Sequence, residues 1–179
     1  MDRKRDFSGR TPPLHHRPAA SGPPPLQGEG PGLRFAGYAA VFDRVDRGGD
    51  VVRRGAFAGA SADVPLLWQH GAATPIGRVE RIAEDAHGLR VIGRLTGETQ
   101  AGREAGALLR AGAIRGLSFG YRVRRAAPLD RLRVSGGGAA RELTALELVE
   151  ISLVTFPMQP LARVHAVEFP SPMGRGRES

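Results

Sequence analysis

The stretch that decides the fold is residues 116–124, which read GLSFGYRVR. Apolar side chains alternate here with small or charged ones, and this period of two is typical of a β-strand with one face on a core. A second stretch, residues 143–155, reads LTALELVEISLVT and predicts a long, mostly apolar strand. Both segments therefore predict strands that pack against a hydrophobic core.

Shorter strand signals occur in residues 33–42, 64–70, 76–82 and 89–95. In residues 76–82 the alternation predicts Ile76, Glu80 and Ile82 on one face of the strand and Val79 on the other. Six or more strands with one or two helices favour a mostly β protein, an antiparallel barrel or sandwich with helices packed outside.

One helix is predicted after the fourth of these strands. Ala101, Ala105, Leu108 and Leu109 recur at helical spacing and form an apolar stripe. Either Thr96 or Thr99 can cap its start, and the glycine at 112 can help to end it. A second short helix is a candidate over residues 55–60.

Length and composition predict a single folded domain with extended ends. The chain has 179 residues, and 41% of them are hydrophobic, which suits one domain. Half of its prolines lie in the first 32 residues, where they remove backbone donors and fix φ. We therefore expect a disordered, basic leader (1–32) rich in proline and glycine, one folded domain (33–168), and a disordered tail (169–179).

Several classes of protein are excluded by composition. The chain has no cysteine, which rules out a disulfide framework, a thiolate zinc site and a cysteine nucleophile. It has neither an apolar run long enough to span a membrane nor a secretory signal, so we expect a cytosolic protein. Its net charge of +8 raises the question of nucleic-acid binding. The arginines are scattered, however, and no helix-turn-helix or RNA-binding strand motif is present, which favours genome composition as the cause of the charge.

Two residues stand out as candidates for chemistry. Ser118 lies between Gly116 and Gly120, and glycines at these positions let a backbone or a substrate approach its hydroxyl. His70 ends the apolar stretch 66–70, where an imidazole is well placed to act as a general base. A histidine that merely bonds a loop, and a serine that merely faces solvent, are the structural alternatives.

A third candidate is Glu150, which lies in the apolar stretch 148–154. An ionised carboxylate there is costly unless it is paired. An imidazole N–H would be a suitable partner, and the pairing would fix the tautomer of the ring. The alternatives are an ion pair with one of the arginines, or Glu147 on the opposite face as the acid. With Ser118 and His70, the carboxylate suggests acyl-transfer chemistry.

The chain resembles a known family, the prohead maturation serine proteases of tailed bacteriophages, which are distant relatives of the herpesvirus assemblins. The similarity covers about residues 35–167. The matching segments, in family order, are GYAAVF (37–42), GDVV (49–52), GAF (55–57), LLWQH (66–70), PIG (75–77), GL (88–89), GLSFGY (116–121) and LVEISLVTFP (148–157). The chain departs from the family pattern at Met158-Gln159-Pro160, because the family has a small residue and Asn before this proline.

The resemblance implies an assemblin-like closed β-barrel surrounded by one or more helices. It implies Ser118 as the nucleophile, His70 as the base and Glu150 as the third member of a triad. In the assemblin relatives the third member is a second histidine, so His165 remains an alternative. The implied activity is peptide-bond hydrolysis through an acyl-enzyme, which requires neither a metal nor a cofactor.

The resemblance also implies substrates and a place of action. Such proteases cut the scaffold, or a scaffolding segment of the major capsid protein, and often themselves, inside the immature procapsid in the bacterial cytoplasm. The sequence leaves open the cleavage-site preference, a homodimer, the oxyanion donors (Arg115 or Arg122 among them) and an origin in a phage, a prophage or a gene transfer agent. The competing hypothesis is a non-enzymatic capsid assembly or scaffold protein, which would need no reactive serine.

Overall fold

The computed structural model describes residues 32–133 and 139–168, and in these residues the chain forms eight β-strands and one α-helix. The elements are β1 (Arg34–Val41), β2 (Asp50–Val52), β3 (Pro65–Trp68), β4 (Gly71–Glu84), β5 (Gly88–Leu95), α1 (Gln100–Arg110), β6 (Gly116–Arg133), β7 (Ala139–Val154) and β8 (Val164–Glu168). The predicted leader apart from Gly32 and the predicted tail lie outside the described residues.

The long apolar strand β7 organises the sheet because it pairs with three other strands. Strand β6 runs antiparallel along one of its edges. Along the other edge, β2 pairs in parallel with residues 141–143 and β3 pairs in parallel with residues 151–153. The sheet then continues from β3 through β4, β5 and β1 to β8. The core side chains Leu117, Ile151 and Leu153 are fully buried on these central strands.

The mostly β architecture with a flanking helix is confirmed. Among the described residues the strand ladders do not close the sheet, so the closed barrel expected from the resemblance is not confirmed. An isolated bridge does join Gly116, at the start of β6, to Arg163, just before β8.

The stripe predicted for helix α1 is confirmed in part: Ala105 and Leu109 are buried, but Leu108 is 39% exposed. The buried face of the helix runs instead through Gly102, Ala105, Gly106 and Leu109. The structure also decides between the two candidate caps. Thr99 is the N-cap, and its hydroxyl accepts a hydrogen bond from the amide of Gly102 at 3.1 Å. Gly112 ends the helix with a φ of 69°, and the next amide bonds back to the carbonyl of Leu108, as in a Schellman motif. Ala105 is buried in the contact of α1 with β4 and β5. No helix in the described part of the chain is long and apolar enough to span a bilayer.

The second short helix predicted over residues 55–60 is wrong. The segment instead forms successive turns, in which Ala58 donates to the carbonyl of Gly55 and Ala60 donates to that of Phe57. Gly55 and Gly59 adopt φ values of 90° and 80°, which a right-handed helix does not allow.

Two details of the strand prediction are also wrong. Ile76 and Val79 are both buried although the alternation puts them on opposite faces, and the ladder with β3 skips Ile76, since Leu66 pairs with Gly77 and Leu67 with Pro75. A bulge of this kind changes which side chains face the core. In β6, Val123 is 43% exposed because the strand continues outward with β7, and its residues 122–128 lie exposed.

The loop at the family departure is well anchored. Gln159 is buried, and its side-chain amide accepts from the backbone N–H of Val41 and donates to the carbonyl of the same residue. The amide donates as well to the carbonyl of Arg44 at 3.3 Å. Glutamine at this position therefore fastens the connection between β7 and β8 to the end of β1.

An ion-pair network joins three adjacent strands of the sheet. The carboxylate of Glu80 on β4 accepts from Arg34 on β1 at 2.8 Å and from Arg94 on β5 at 2.6 Å. Burial raises the pKa of Glu80, but the bonds from Arg94 and Arg34 outweigh this effect and lower the pKa overall. Because the folded-state pKa is lowered, the stabilisation is present above the ordinary glutamate pKa and is lost as the pH falls through the lowered value.

We expect Glu80→Gln to lower the free energy of unfolding by about 2–4 kcal/mol near neutral pH, since two mostly buried guanidinium groups lose a shared carboxylate. Urea unfolding of both proteins across the acidic range measures this effect. The difference between them should shrink as the pH falls through the lowered pKa of Glu80. A difference that stayed constant with pH would assign the loss to packing instead.

Candidate active site

The centre of the candidate site is one face of the β6–β7 ladder. Ser118 pairs with Ser152, and Gly120 pairs with Glu150. Paired residues in an antiparallel ladder, and residues two apart on a strand, share a face. Ser118, Ser152 and Glu150 therefore lie side by side, and all three are buried, with 5%, 0% and 7% of their surface exposed.

The candidate base stands on a tight turn beside this face. Gln69 and His70 connect β3 to β4, and Trp68 pairs with Gly71 across the turn. Both turn residues have positive φ, 52° and 62°, as in the type I′ turns of two-residue hairpins. The left-handed region costs non-glycine residues roughly 1–2 kcal/mol each. Such strain persists only where surrounding contacts hold the backbone in place.

A hydrogen-bonded network joins the turn to β7. Nδ1 of His70 lies 2.7 Å from Oε1 of Glu150. The other carboxylate oxygen accepts from the hydroxyl of Ser152 at 2.6 Å, and that hydroxyl accepts from the backbone N–H of His70 at 3.3 Å. An ionised carboxylate can only accept, so in the neutral ring Nδ1 carries the proton and Nε2 keeps its lone pair. The cost of burying the carboxylate is offset by these two bonds.

Gly120 provides the space that the carboxylate occupies. A Cβ atom at this position would lie 2.6 Å from Oε1 and 2.8 Å from Cγ of Glu150, both closer than contact distance. Any larger residue at position 120 would therefore displace the side chain that binds His70.

The structure brings the three predicted residues together around Ser152. Ser118 lies opposite it on the ladder, the backbone N–H of His70 donates to its hydroxyl, and Glu150 accepts a hydrogen bond from that hydroxyl. Within the described residues the hydroxyl of Ser118 forms no hydrogen bond, and no buried side-chain polar atom lacks a partner, so this hydroxyl retains some contact with solvent. Bonds between a nucleophile and its base often tighten only with substrate bound.

The two alternative third members lie elsewhere. Glu147 pairs with Arg122 and Arg124 on the outer part of the hairpin. The ring of His165 packs edge-on against Tyr38 at 5.7 Å, and burial, together with His87 and Arg163, lowers its pKa. In the described part of the chain, neither residue bonds to His70, and Glu150 does.

Sequence reasoning missed two features of this site. The first is Ser152, which its period-two spacing from Glu150 could have revealed. The second is a pair of hydrogen bonds between the side chain of Gln69 and Thr155. No periodic signal points to the second feature, because one residue lies in a turn and the other just beyond a strand.

The chemistry available here is acyl transfer. A hydroxyl, an imidazole with a free Nε2, and a carboxylate that orients the ring are the groups this reaction uses. The described residues contain no group of three or more histidine, cysteine, aspartate or glutamate side chains that could hold a metal ion.

Comparison with known proteins agrees with this geometry. The family model for the caudovirus prohead serine protease matches residues 26–172, which is most of the chain. The chain belongs to this family. It is also 33% identical over 146 residues to the prohead protease of Enterobacteria phage HK97, a match that covers 79% of this chain. The match spans 63% of the length of that relative.

Solved structures with the same fold include two viral proteases. The bacteriophage T4 capsid assembly protease, gp21, matches with a TM-score of 0.57 and 14% identity, over 74% of this chain and 88% of its own. The KSHV protease, in complex with a hexapeptide phosphonate inhibitor, matches with a TM-score of 0.51 and 13% identity, over 78% and 66% respectively. These matches support the fold.

We expect Gly120→Ala to push the carboxylate of Glu150 away from His70 and to cost about 1–3 kcal/mol of stability, as overpacking does. Nitrogen NMR of the His70 ring should show a proton fixed on Nδ1 in the wild type and a mixture of tautomers in the variant. Gly106→Ala is the matched control, because a Cβ there lies 3.8 Å from its nearest neighbour. An unchanged His70 tautomer in Gly120→Ala would contradict the steric argument.

Proposed function

We propose that this protein is a serine endopeptidase of capsid maturation. Ser118 is the nucleophile, His70 is the general base and Glu150 is the acid that orients it. The observation that carries this proposal is the 2.7 Å contact of Nδ1 of His70 with Glu150, on the face that bears Ser118. Membership of the prohead protease family supports the same reaction.

The mechanism follows from the free lone pair on Nε2. His70 takes the proton of Ser118 as its Oγ attacks the scissile carbonyl, and the resulting imidazolium is stabilised by Glu150. The proton then passes to the leaving amine as the peptide C–N bond breaks, and an acyl-enzyme remains. A water molecule, deprotonated by the same imidazole, hydrolyses the ester. Backbone amides near Ser118 are the general kind of donor for the oxyanion.

The substrates we propose are the scaffold or a scaffolding segment of the major capsid protein, and this chain itself. The KSHV neighbour was solved with a hexapeptide phosphonate inhibitor, and the T4 neighbour is named a capsid assembly protease. The inhibitor of the first is consistent with a peptide as substrate, and the name of the second is consistent with a role in capsid assembly. The place of action that we propose is the interior of the immature procapsid, in the cytoplasm of the bacterial host. Residues 33–168 form the proposed protease domain, and the leader and the tail are proposed sites of self-cleavage.

The decisive experiment compares wild type with Ser118→Ala by intact-mass analysis, with and without the cognate capsid protein assembled into procapsids. We expect discrete truncation of at least one protein in the wild-type sample. In the variant, turnover should fall by about 10⁴-fold or more because the nucleophile is missing. Intact proteins in both samples would favour the competing hypothesis, a non-enzymatic assembly protein.

A second comparison tests which carboxylate orients His70. Glu150→Gln keeps the size of the side chain but can offer an N–H to the ring and favour the wrong tautomer, so we expect kcat to fall by about 10³–10⁴-fold. Glu147→Gln is the matched control, since it removes only exposed pairs with Arg122 and Arg124. Its kcat should stay within about twofold of the wild-type value, as for most surface substitutions. Equal losses in the two variants would reject Glu150 as the acid.

A further inference from the structure

The side chain of Gln69 reaches from an exposed turn to Thr155, just beyond the end of β7. Its Nε2 donates to Oγ1 of Thr155 at 2.7 Å, and its Oε1 accepts from the backbone N–H of Thr155 at 3.1 Å. Its own backbone N–H donates to the carbonyl of Leu153 at 3.0 Å. Three hydrogen bonds thus tie one turn residue to the end of β7.

These bonds extend the parallel pairing of β3 with β7. The backbones pair from Leu66 with Ile151 to Trp68 with Leu153, and the chain then leaves the ladder at the turn. The side-chain amide of Gln69 takes over, because it offers one donor and one acceptor, as a peptide group does. The hydrogen bonding between the two segments therefore reaches Thr155, one residue beyond the end of β7.

These hydrogen bonds hold the backbone next to His70, the residue that follows Gln69. His70 has a φ of 62°, in a region that non-glycine residues rarely adopt, and 46% of its side chain is exposed. Burial alone therefore does not fix the ring. The bond from its backbone to Ser152 holds one side of the turn, and the Gln69–Thr155 pair holds the other.

We propose that Gln69 is a positioning residue, which clamps the turn through Thr155 and so aims Nε2 of His70 at Ser118. The proposal rests on the proposed function above. Glutamine has no conformational advantage in this turn, since glycine or asparagine adopts positive φ more readily. What glutamine adds is the reach of its amide to Thr155.

The test uses the full chain and a fluorophosphonate reagent, which phosphonylates an activated serine hydroxyl with loss of fluoride. Intact mass follows the labelling of Ser118 and separates the maximal rate, kinact, from the binding constant, KI. Gln69→Asn keeps the tolerance for positive φ but is one methylene too short to reach Thr155. Thr155→Val removes the hydroxyl at constant shape, and Thr155→Ser retains it.

We expect Gln69→Asn to lower kinact by about ten- to a hundredfold, in keeping with the cost of misplacing a catalytic group, with little change in KI. Thr155→Val should show part of this loss, and Thr155→Ser should keep the wild-type kinact. In the double variant Gln69→Asn/Thr155→Val, the loss should match that of Gln69→Asn alone, because the two residues act as one unit. Melting temperatures measured in parallel separate misplacement from unfolding.

Two results would overturn the proposal, and they differ from a failure of the proposed function. Labelling of wild type at Ser118 together with an unchanged kinact in Gln69→Asn would show that the clamp is dispensable. Losses that simply tracked the melting temperatures would make Gln69 a purely structural residue. No labelling of Ser118 in the wild type would instead count against the proposed nucleophile itself.

Discussion

The buried carboxylate of Glu150 is the constraint on which the rest of the site depends. A charge with 7% of its residue surface exposed is stable only if its oxygens are bonded, and the two partners are the ring of His70 and the hydroxyl of Ser152. Ser152 lies on the same strand as Glu150, but His70 lies in the turn that follows β3. To satisfy the carboxylate, the fold must therefore bring the end of β3 against β7, and this also delivers His70 to the face of Ser118.

The sheet meets this requirement through the neighbours of β7. One edge of β7 pairs with two short parallel strands, β2 and β3, and the other edge pairs with β6. Because β3 is short, it ends beside Leu153, and the turn that follows lies directly over the polar face of β7. A longer β3 would carry His70 past Glu150. The length of this strand thus matters as much as its sequence.

Much of the fold could be predicted from sequence because the central strands have one apolar face. Alternation found Leu117 and the helical stripe found Ala105, and both are buried in the structure. The prediction failed where geometry is local and not periodic: at the bulge at Ile76, and at residues 55–60, where glycines with positive φ break a helix. The exposed Val123 was missed because alternation does not report where a hairpin leaves the core.

The site shows the same division between periodic and non-periodic information. Glu150 could be named because a carboxylate in an apolar strand demands a partner, yet the sequence alone left an arginine and His70 equally open. Parallel pairing between β3 and residues 151–153 decides between them, and such pairing leaves no signature in either strand. The turn residues Gln69 and His70 determine where the imidazole ring lies. Their positive φ is unfavourable by itself, so the energy that holds His70 in place must come from contacts across the sheet, and a rigid sheet is what can supply it.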